Sequence, residues 1–218
     1  MKFYIGVVGQ IACGKGILVD YLIKKLGFTS FSLSSIVHEE LRKQGVKDFS
    51  RKTLQDMGDE LRKKYGDDVL ARKAIRRLRV EDRSWKIDLE NRSLKLENPT
   101  SNFQPQNPAS IFKPPSSIII EGIRNPGEIE YLKKLPNFVL IGVKAKRELR
   151  FQRLRQRNKP WDVKTWEEFV AVDRRDLGVG QKKSGQQVGK CLHYCDYVLT
   201  NNKDVKDFQR KVEKLIPP

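Results

Sequence analysis

Residues 9–16 read GQIACGKG, directly behind the apolar run FYIGVV at 3–8. Glycines at 9 and 14 allow a tight turn in which successive backbone N–H groups point inward at an anion. A helix starting at the lysine adds the positive end of its dipole. Lys15 contributes a full charge toward the β- and γ-phosphates of a nucleotide. In the usual pattern a Ser or Thr follows the lysine and its hydroxyl ligates Mg²⁺; here the next two residues are Gly16 and Ile17. The expected nucleotide-contacting set is therefore Gly9, Gln10, Ile11, Ala12, Cys13, Gly14, Lys15, Gly16 and Ile17. ATP with Mg²⁺ is the expected cofactor. The ion would be held by phosphate oxygens, by water and by an acidic residue elsewhere, since Mg²⁺ keeps much of its water. Cys13 reads as a small loop residue, with a redox-sensitive thiol as the alternative.

Two other clusters carry charge or ligand atoms. KRELRFQRLRQR at 146–157 holds arginines at 147, 150, 153, 155 and 157, which cannot all face one ligand. CLHYC at 191–195 puts Cys191 and Cys195 one helical turn apart with His193 on another face; typical zinc spacing is absent and core packing is the expected role of both thiols.

These residues need a scaffold, and the apolar pattern supplies one. Residues 2–8, 28–32, 116–122, 137–143 and 196–201 read as strands. Residues 15–27, 34–45, 50–66, 67–78, 146–157, 163–176, 184–195 and 205–216 read as helices, with another over NPGEIEYLKKL. Ser34 is the expected N-cap of its helix, and Gly27 and Gly45 are expected stops. Nearly all-apolar strands alternating with helices predict an α/β fold with a parallel five-stranded sheet covered on both faces. Residues 80–116 break the rhythm. WKIDL and LKL alternate around ENRS and predict a hairpin, followed by a Pro/Asn/Ser-rich loop, as an insertion on the body.

The chain has 218 residues and is 38% hydrophobic, which suits one domain. The N-terminus lacks signal-peptide architecture, no stretch approaches the length of a membrane span, and the three cysteines are sparse and odd in number. A cytoplasmic protein in a reducing compartment, without a membrane partner, is expected. Forty-four Lys and Arg against 27 Asp and Glu give +17, an excess that attracts polyanions, RNA among them. IFKPPSS and WKIDL are candidate contact segments for such a partner.

The GKG ending of the loop resembles that of adenylate kinase-like nucleotide kinases, where Thr often follows; this chain has Ile17. In order along the chain, FTSFSLSSIVHEELRKQG resembles a monophosphate-binding segment, and SIIIEGIRNPGEIEYL a third-strand segment of the DG-x-(P)-R kind. RFQRLRQR resembles the R-L-x-x-R that opens a lid, and VDRRD the lid's returning arginines. The set resembles the nucleoside/deoxynucleoside monophosphate kinase and dephospho-CoA kinase group of P-loop enzymes. The resemblance implies one kinase-like domain: a core at 1–32 and 116–218, acceptor-binding helices at 33–79, the insertion at 80–115 and a lid at about 150–180. It implies phosphoryl transfer from ATP to a small phosphorylated acceptor, a nucleoside or deoxynucleoside monophosphate first and dephospho-CoA second. A nucleotide-binding protein without strong catalysis, working on RNA or a protein partner, is the reading from another class.

The same resemblance distributes roles. Arg153, Arg157, Arg174 and Arg175 close over the triphosphate, their planar forks matching phosphate oxygens. Glu121, at a strand's carboxyl end, orients the acceptor or a Mg²⁺-bound water; Arg124 holds an acceptor phosphate. A simple salt bridge between these two is the alternative. Ser34, Ser35 and His38 fall in the acceptor-binding segment. Ser35 stands where the group carries an acid and His38 where it carries an arginine; a surface histidine on an amphipathic helix is the favoured reading of His38.

Overall fold

The computed structural model describes residues 3–79 and 117–216. The insertion expected at 80–115, with its hairpin and both candidate contact segments, lies outside the described residues. Five strands, β1 (Phe3–Gly9), β2 (Thr29–Ser32), β3 (Ser117–Ile123), β4 (Phe138–Lys144) and β5 (Tyr197–Thr200), form one parallel sheet in the order β2-β3-β1-β4-β5. The fold is α/β, as the strand pattern predicts.

The reason for the unbroken apolar strands is visible in β3. Ile118 and Ile120 enter the core beneath α2 (Leu33–Lys43), α3 (Arg51–Tyr65) and the helix α4 at 69–79; Ile119, pointing the other way, enters the core beneath α1 (Lys15–Leu26). The second face is completed by Phe208 and Val212 of the C-terminal helix α9 (Val205–Leu215). Four further helices lie among the described residues: α5 (Pro126–Leu132), α6 (Arg147–Arg157), α7 (Trp166–Leu177) and the short α8 (Val188–Cys191). A third, small apolar cluster of Ile11, Leu154 and Phe169 fastens α6 and α7 to the loop after β1.

Several boundaries move for local reasons. Helix α2 begins one residue earlier than expected, with the extended Ser32 at the N-cap; Ser34 lies inside the first turn, its Oγ 2.8 Å from Ser32 Oγ. Helix α7 starts at Trp166 because Thr165 and Glu168 form a capping box there. The helix expected over 184–195 is reduced to α8 and one 3₁₀ turn at Leu192–Tyr194. Upstream of α8 the chain is held away from helical geometry: Gln187 N–H donates to the Arg124 carbonyl at 2.7 Å, and Asn125 Nδ2 to the Lys183 and Gly185 carbonyls. Cys191 is buried in the core and Cys195 packs against it. No helix among the described residues is long and apolar enough to cross a membrane.

Candidate functional site

The loop from Gly9 to Lys15 joins β1, in the middle of the sheet, to α1. Gly9 has no room for a side chain: a Cβ there would lie 2.5 Å from the Val143 carbonyl oxygen and 2.7 Å from Cys13 Sγ. Ala12 (φ 57°) and Gly14 (φ 101°) adopt the left-handed conformation that turns backbone N–H groups inward. Lys15 Nζ donates to the Gly9 and Gln10 carbonyls at 2.6 and 2.9 Å, so its charge is held over the loop. Burial, more than any neighbour, moves its pKa below that of an ordinary lysine. Asn201, at the end of β5, donates its Nδ2 to the Cys13 carbonyl at 3.0 Å and braces the loop from outside. Cys13 is fully buried. The two positions that lack hydroxyls differ. Ile17 packs into the core under α1, while Gly16 is exposed with nothing within 4 Å of a notional Cβ.

Facing the loop is a cleft of about 230 Å³. Lys15, Ile11 and Ala12 form one wall. Ser34, His38, Arg51, Gln55 and Arg62 line it from α2 and α3, Glu121 and Arg124 from the end of β3, and Arg157, Lys159, Trp161, Asp176 and Gln186 from the α6–α8 region. Among its charged side chains cations outnumber carboxylates, and buried carboxylates hold the four arginines. Asp162, 2% exposed at its side chain, accepts from Arg157 Nε and Nη2 at 2.7 and 2.8 Å and from Arg51 Nη2 at 2.8 Å. Burial alone would raise the Asp162 carboxyl, but Arg157 and Arg51 outweigh it and hold it below the usual range. Arg51 is lowered, first by its own burial and then by Arg124 nearby; its Nε is buried without a partner among the described residues. Asp176 accepts from the Ile11 N–H at 3.3 Å and pairs with Arg124, so α7, the phosphate loop and β3 meet at one carboxylate. Asp173, fully buried, binds Arg150, Arg147 and the Gln10 amide. On the opposite flank Arg62 pairs with Glu128, which also accepts from the Arg124 and Asn125 backbone N–H groups.

The expected residues divide. Lys15, Glu121, Arg124, Arg157, Ser34 and His38 line the cleft. The alternative salt bridge between Glu121 and Arg124 does not form, because Arg124 pairs with Asp176. His38 is not a surface histidine: it is half-buried in the cleft, edge-on to Phe49 and Trp161 at 5.2 and 5.4 Å. Burial, then Arg42, Arg51 and Lys159, lower its pKa, so it stands neutral at pH 7. Ser35 is exposed and donates to the Ser32 carbonyl, outside the cleft. Arg153 reaches the Asn201 and Lys203 carbonyls on the far side of the loop. Arg174 is exposed in a shallow groove on the outer face of α7. Arg175 is bound by Asp56 and Asp59 of α3. Neither of these last two lines the cleft: Arg174 points outward, and Arg175, one turn after the cleft residue Val172, is held instead by the two α3 carboxylates.

Sequence reading missed Arg51, Gln55, Arg62, Lys159, Trp161, Asp162 and Gln186. Asp173 and Asp176 lay inside a stretch read for its arginines. Their spacing of three residues, one helical face, was the available signal.

The phosphate loop after a central strand, in a parallel sheet of order 2-3-1-4-5 with the cleft at the strands' carboxyl ends, defines a P-loop kinase-like α/β fold. No family model matches the chain. It is similar to proteins named UPF0200 protein: 24% identical over 215 residues to that of Hyperthermus butylicus (99% of this chain, 94% of the relative) and 27% over 216 to that of Methanothermobacter thermautotrophicus (97% and 88%). To that of Pyrococcus horikoshii it is 35% identical over 102 residues, 45% of this chain and 51% of the relative. Among solved structures, shikimate kinase from Acinetobacter baumannii in complex with shikimate matches with TM-score 0.49 at 17% identity, covering 99% of this chain and 93% of that one. Dephospho-CoA kinase from Campylobacter jejuni matches with TM-score 0.45 at 21%, covering 99% and 96%.

Proposed function

We propose that the protein transfers a phosphoryl group from ATP to a small phosphorylated acceptor, a nucleoside or deoxynucleoside monophosphate. One observation carries this reading: the cleft opposite Lys15 is walled by Arg51, Arg124 and Arg157, three cations from three segments, converging on the mouth of a phosphate loop. Phosphoryl transfer needs charge around the moving group and exclusion of water more than covalent help. Arg124 and Lys15 flank the transfer point, and Arg51 supplies on α3 the acceptor-side cation that neutral His38 does not. His38 and Trp161, in edge contact at 5.4 Å, give that end of the cleft an aromatic lining.

The residues fit Mg²⁺ bound with the nucleotide. Among the described residues Glu121 is the cleft carboxylate not engaged by an arginine, and it would hold the ion through water while ATP oxygens take the remaining positions. When bound, Mg²⁺ neutralises charge on the β- and γ-phosphates.

The test is ATP-dependent phosphorylation of a panel of nucleoside and deoxynucleoside monophosphates and dephospho-CoA, with Mg²⁺ or Mn²⁺. Transfer to a monophosphate is expected, and Lys15→Ala lowers it by at least about 100-fold, the scale of removing one preorganised charge. A wild-type protein inert on the whole panel overturns the reading.

A further inference from the structure

Phosphoryl transfer gives no task to the two glutamines on the wall of the cleft. Gln55 comes from α3 and Gln186 from the segment before α8; they are 3% and 4% exposed, and both line the cavity. Their hydrogen bonds decide which way each amide faces. Gln55 Nε2 donates to the Val172 carbonyl at 3.4 Å and to Gln186 Oε1 at 3.0 Å. A backbone carbonyl only accepts, so the Gln55 nitrogen faces Val172, and Gln186 must then turn its oxygen to Gln55. Gln55 Oε1 and Gln186 Nε2 are left, one acceptor and one donor, without a partner among the described residues. Neither atom is sealed off from the cleft, and a polar atom open to a cleft is satisfied by water or by a ligand.

Neither amide is free to withdraw. Gln55 sits mid-helix, and Gly58, one turn on, lines the same wall without a side chain. The backbone around Gln186 is tied to the β3–α5 turn by the bonds from Gln187 N–H and Asn125 Nδ2. A fixed acceptor beside a fixed donor asks for a ligand edge that offers a donor beside an acceptor. Heterocyclic bases have such an edge in two orders. Adenine and cytosine offer an amino N–H next to a ring nitrogen; guanine, uracil and thymine offer an oxo group next to a ring N–H. With the sugar phosphate anchored so that the base cannot turn over, one order meets the two amides and the other sets donor on donor and acceptor on acceptor.

We infer that Gln55 and Gln186 form an amide clamp that reads the base of the acceptor and sorts amino bases from oxo bases regardless of ring size. The inference rests on the phosphoryl-transfer reading for its acceptor, but its test is binding. The full-length wild type, Gln55→Leu and Gln186→Leu are titrated calorimetrically with AMP, CMP, GMP and UMP, and transfer from ATP to these and to dephospho-CoA is measured alongside. The wild type is expected to bind either AMP and CMP, or GMP and UMP, at least about tenfold more tightly than the other two. Each leucine variant brings that ratio to within about twofold and leaves ATP affinity unchanged.

A preference that follows ring size, or no preference, overturns the clamp on the wild type alone, so a variant that fails to fold does not shield it. So does a ratio that survives both substitutions. Sorted binding without transfer leaves the clamp standing and removes the kinase reading. Transfer to dephospho-CoA without binding of any of the four monophosphates does the reverse.

Discussion

The two walls of the cleft are built by different means. The phosphate-loop wall is made of backbone from seven consecutive residues; its one charged side chain, Lys15, is bonded to the loop's own carbonyls. The facing wall is made of side chains from α2, α3, the end of β3 and the chain beyond α6, and it is held by Arg–Asp and Arg–Glu pairs between segments more than 50 residues apart in sequence. Backbone geometry tolerates exchange of the side chains it does not use, as at the exposed Gly16. A wall of crossed ion pairs tolerates little, because each removal leaves a buried partner charge.

The largest separation of the two walls is expected from Arg62→Met. It leaves Glu128 buried with its two backbone N–H donors but no cation, a change that costs about 3–5 kcal/mol. Urea unfolding should show that loss. At temperatures where the variant is folded, affinity for ATP should be retained and affinity for the acceptor lost. Equal loss at both sites would mean the walls are one unit.

Gly9→Ala is the complementary break. Its Cβ would meet the Val143 carbonyl at 2.5 Å, and backbone cannot swing aside as a side-chain end can, so a cost of about 1–3 kcal/mol and loss of ATP binding are expected with acceptor binding retained. Calorimetry with each ligand separately checks it.

This division also explains how much could be read in advance. The loop was legible because its chemistry needs glycines and a lysine at fixed spacing in one stretch. The sheet was legible because a strand covered on both faces must be apolar throughout, as III at 118–120 is. The facing wall was not. Arg51 follows a helix N-cap and looks like any exposed first-turn arginine; only the fold brings Asp162, 111 residues on, against it. Arg174 and Arg175 were read by type when the helical phase of Asp173 and Asp176 decides what faces inward. His38 sits on an amphipathic pattern, and nothing local says that Trp161 will cover it.

Two smaller effects sharpen the comparison. Gly16→Ser places a hydroxyl on the loop in open space, so stability should stay within about 0.5 kcal/mol of wild type in a thermal melt. The Mg²⁺ concentration needed for half-maximal transfer should fall, because the loop gains a ligand oxygen; an unchanged requirement would mean the ion lies away from residue 16. The smallest effect concerns His38. Its pKa in the folded protein lies below the unfolded value near 6.5, so below that pH the unfolded chain binds more protons. Stability is therefore present above about pH 6.5 and declines as pH falls toward and through the folded pKa. His38→Asn should show a shallower decline in melting temperature between pH 7 and 5; a parallel decline would assign the slope to other groups.

Asn201 touches both Cys13, through Nδ2, and Arg153 of α6, through its carbonyl and Oδ1, while its own N–H is fixed to the Lys144 carbonyl. A joint of this kind makes the shape of the loop and the tilt of α6 a single variable. The consequence is one of timing. On the proposed reading, ATP arriving at the loop is expected to alter the seating of α6, and with it Arg157, before any acceptor is present. The expected order of binding is then nucleotide first, and hydrogen exchange across 147–157 is expected to slow on ATP addition alone.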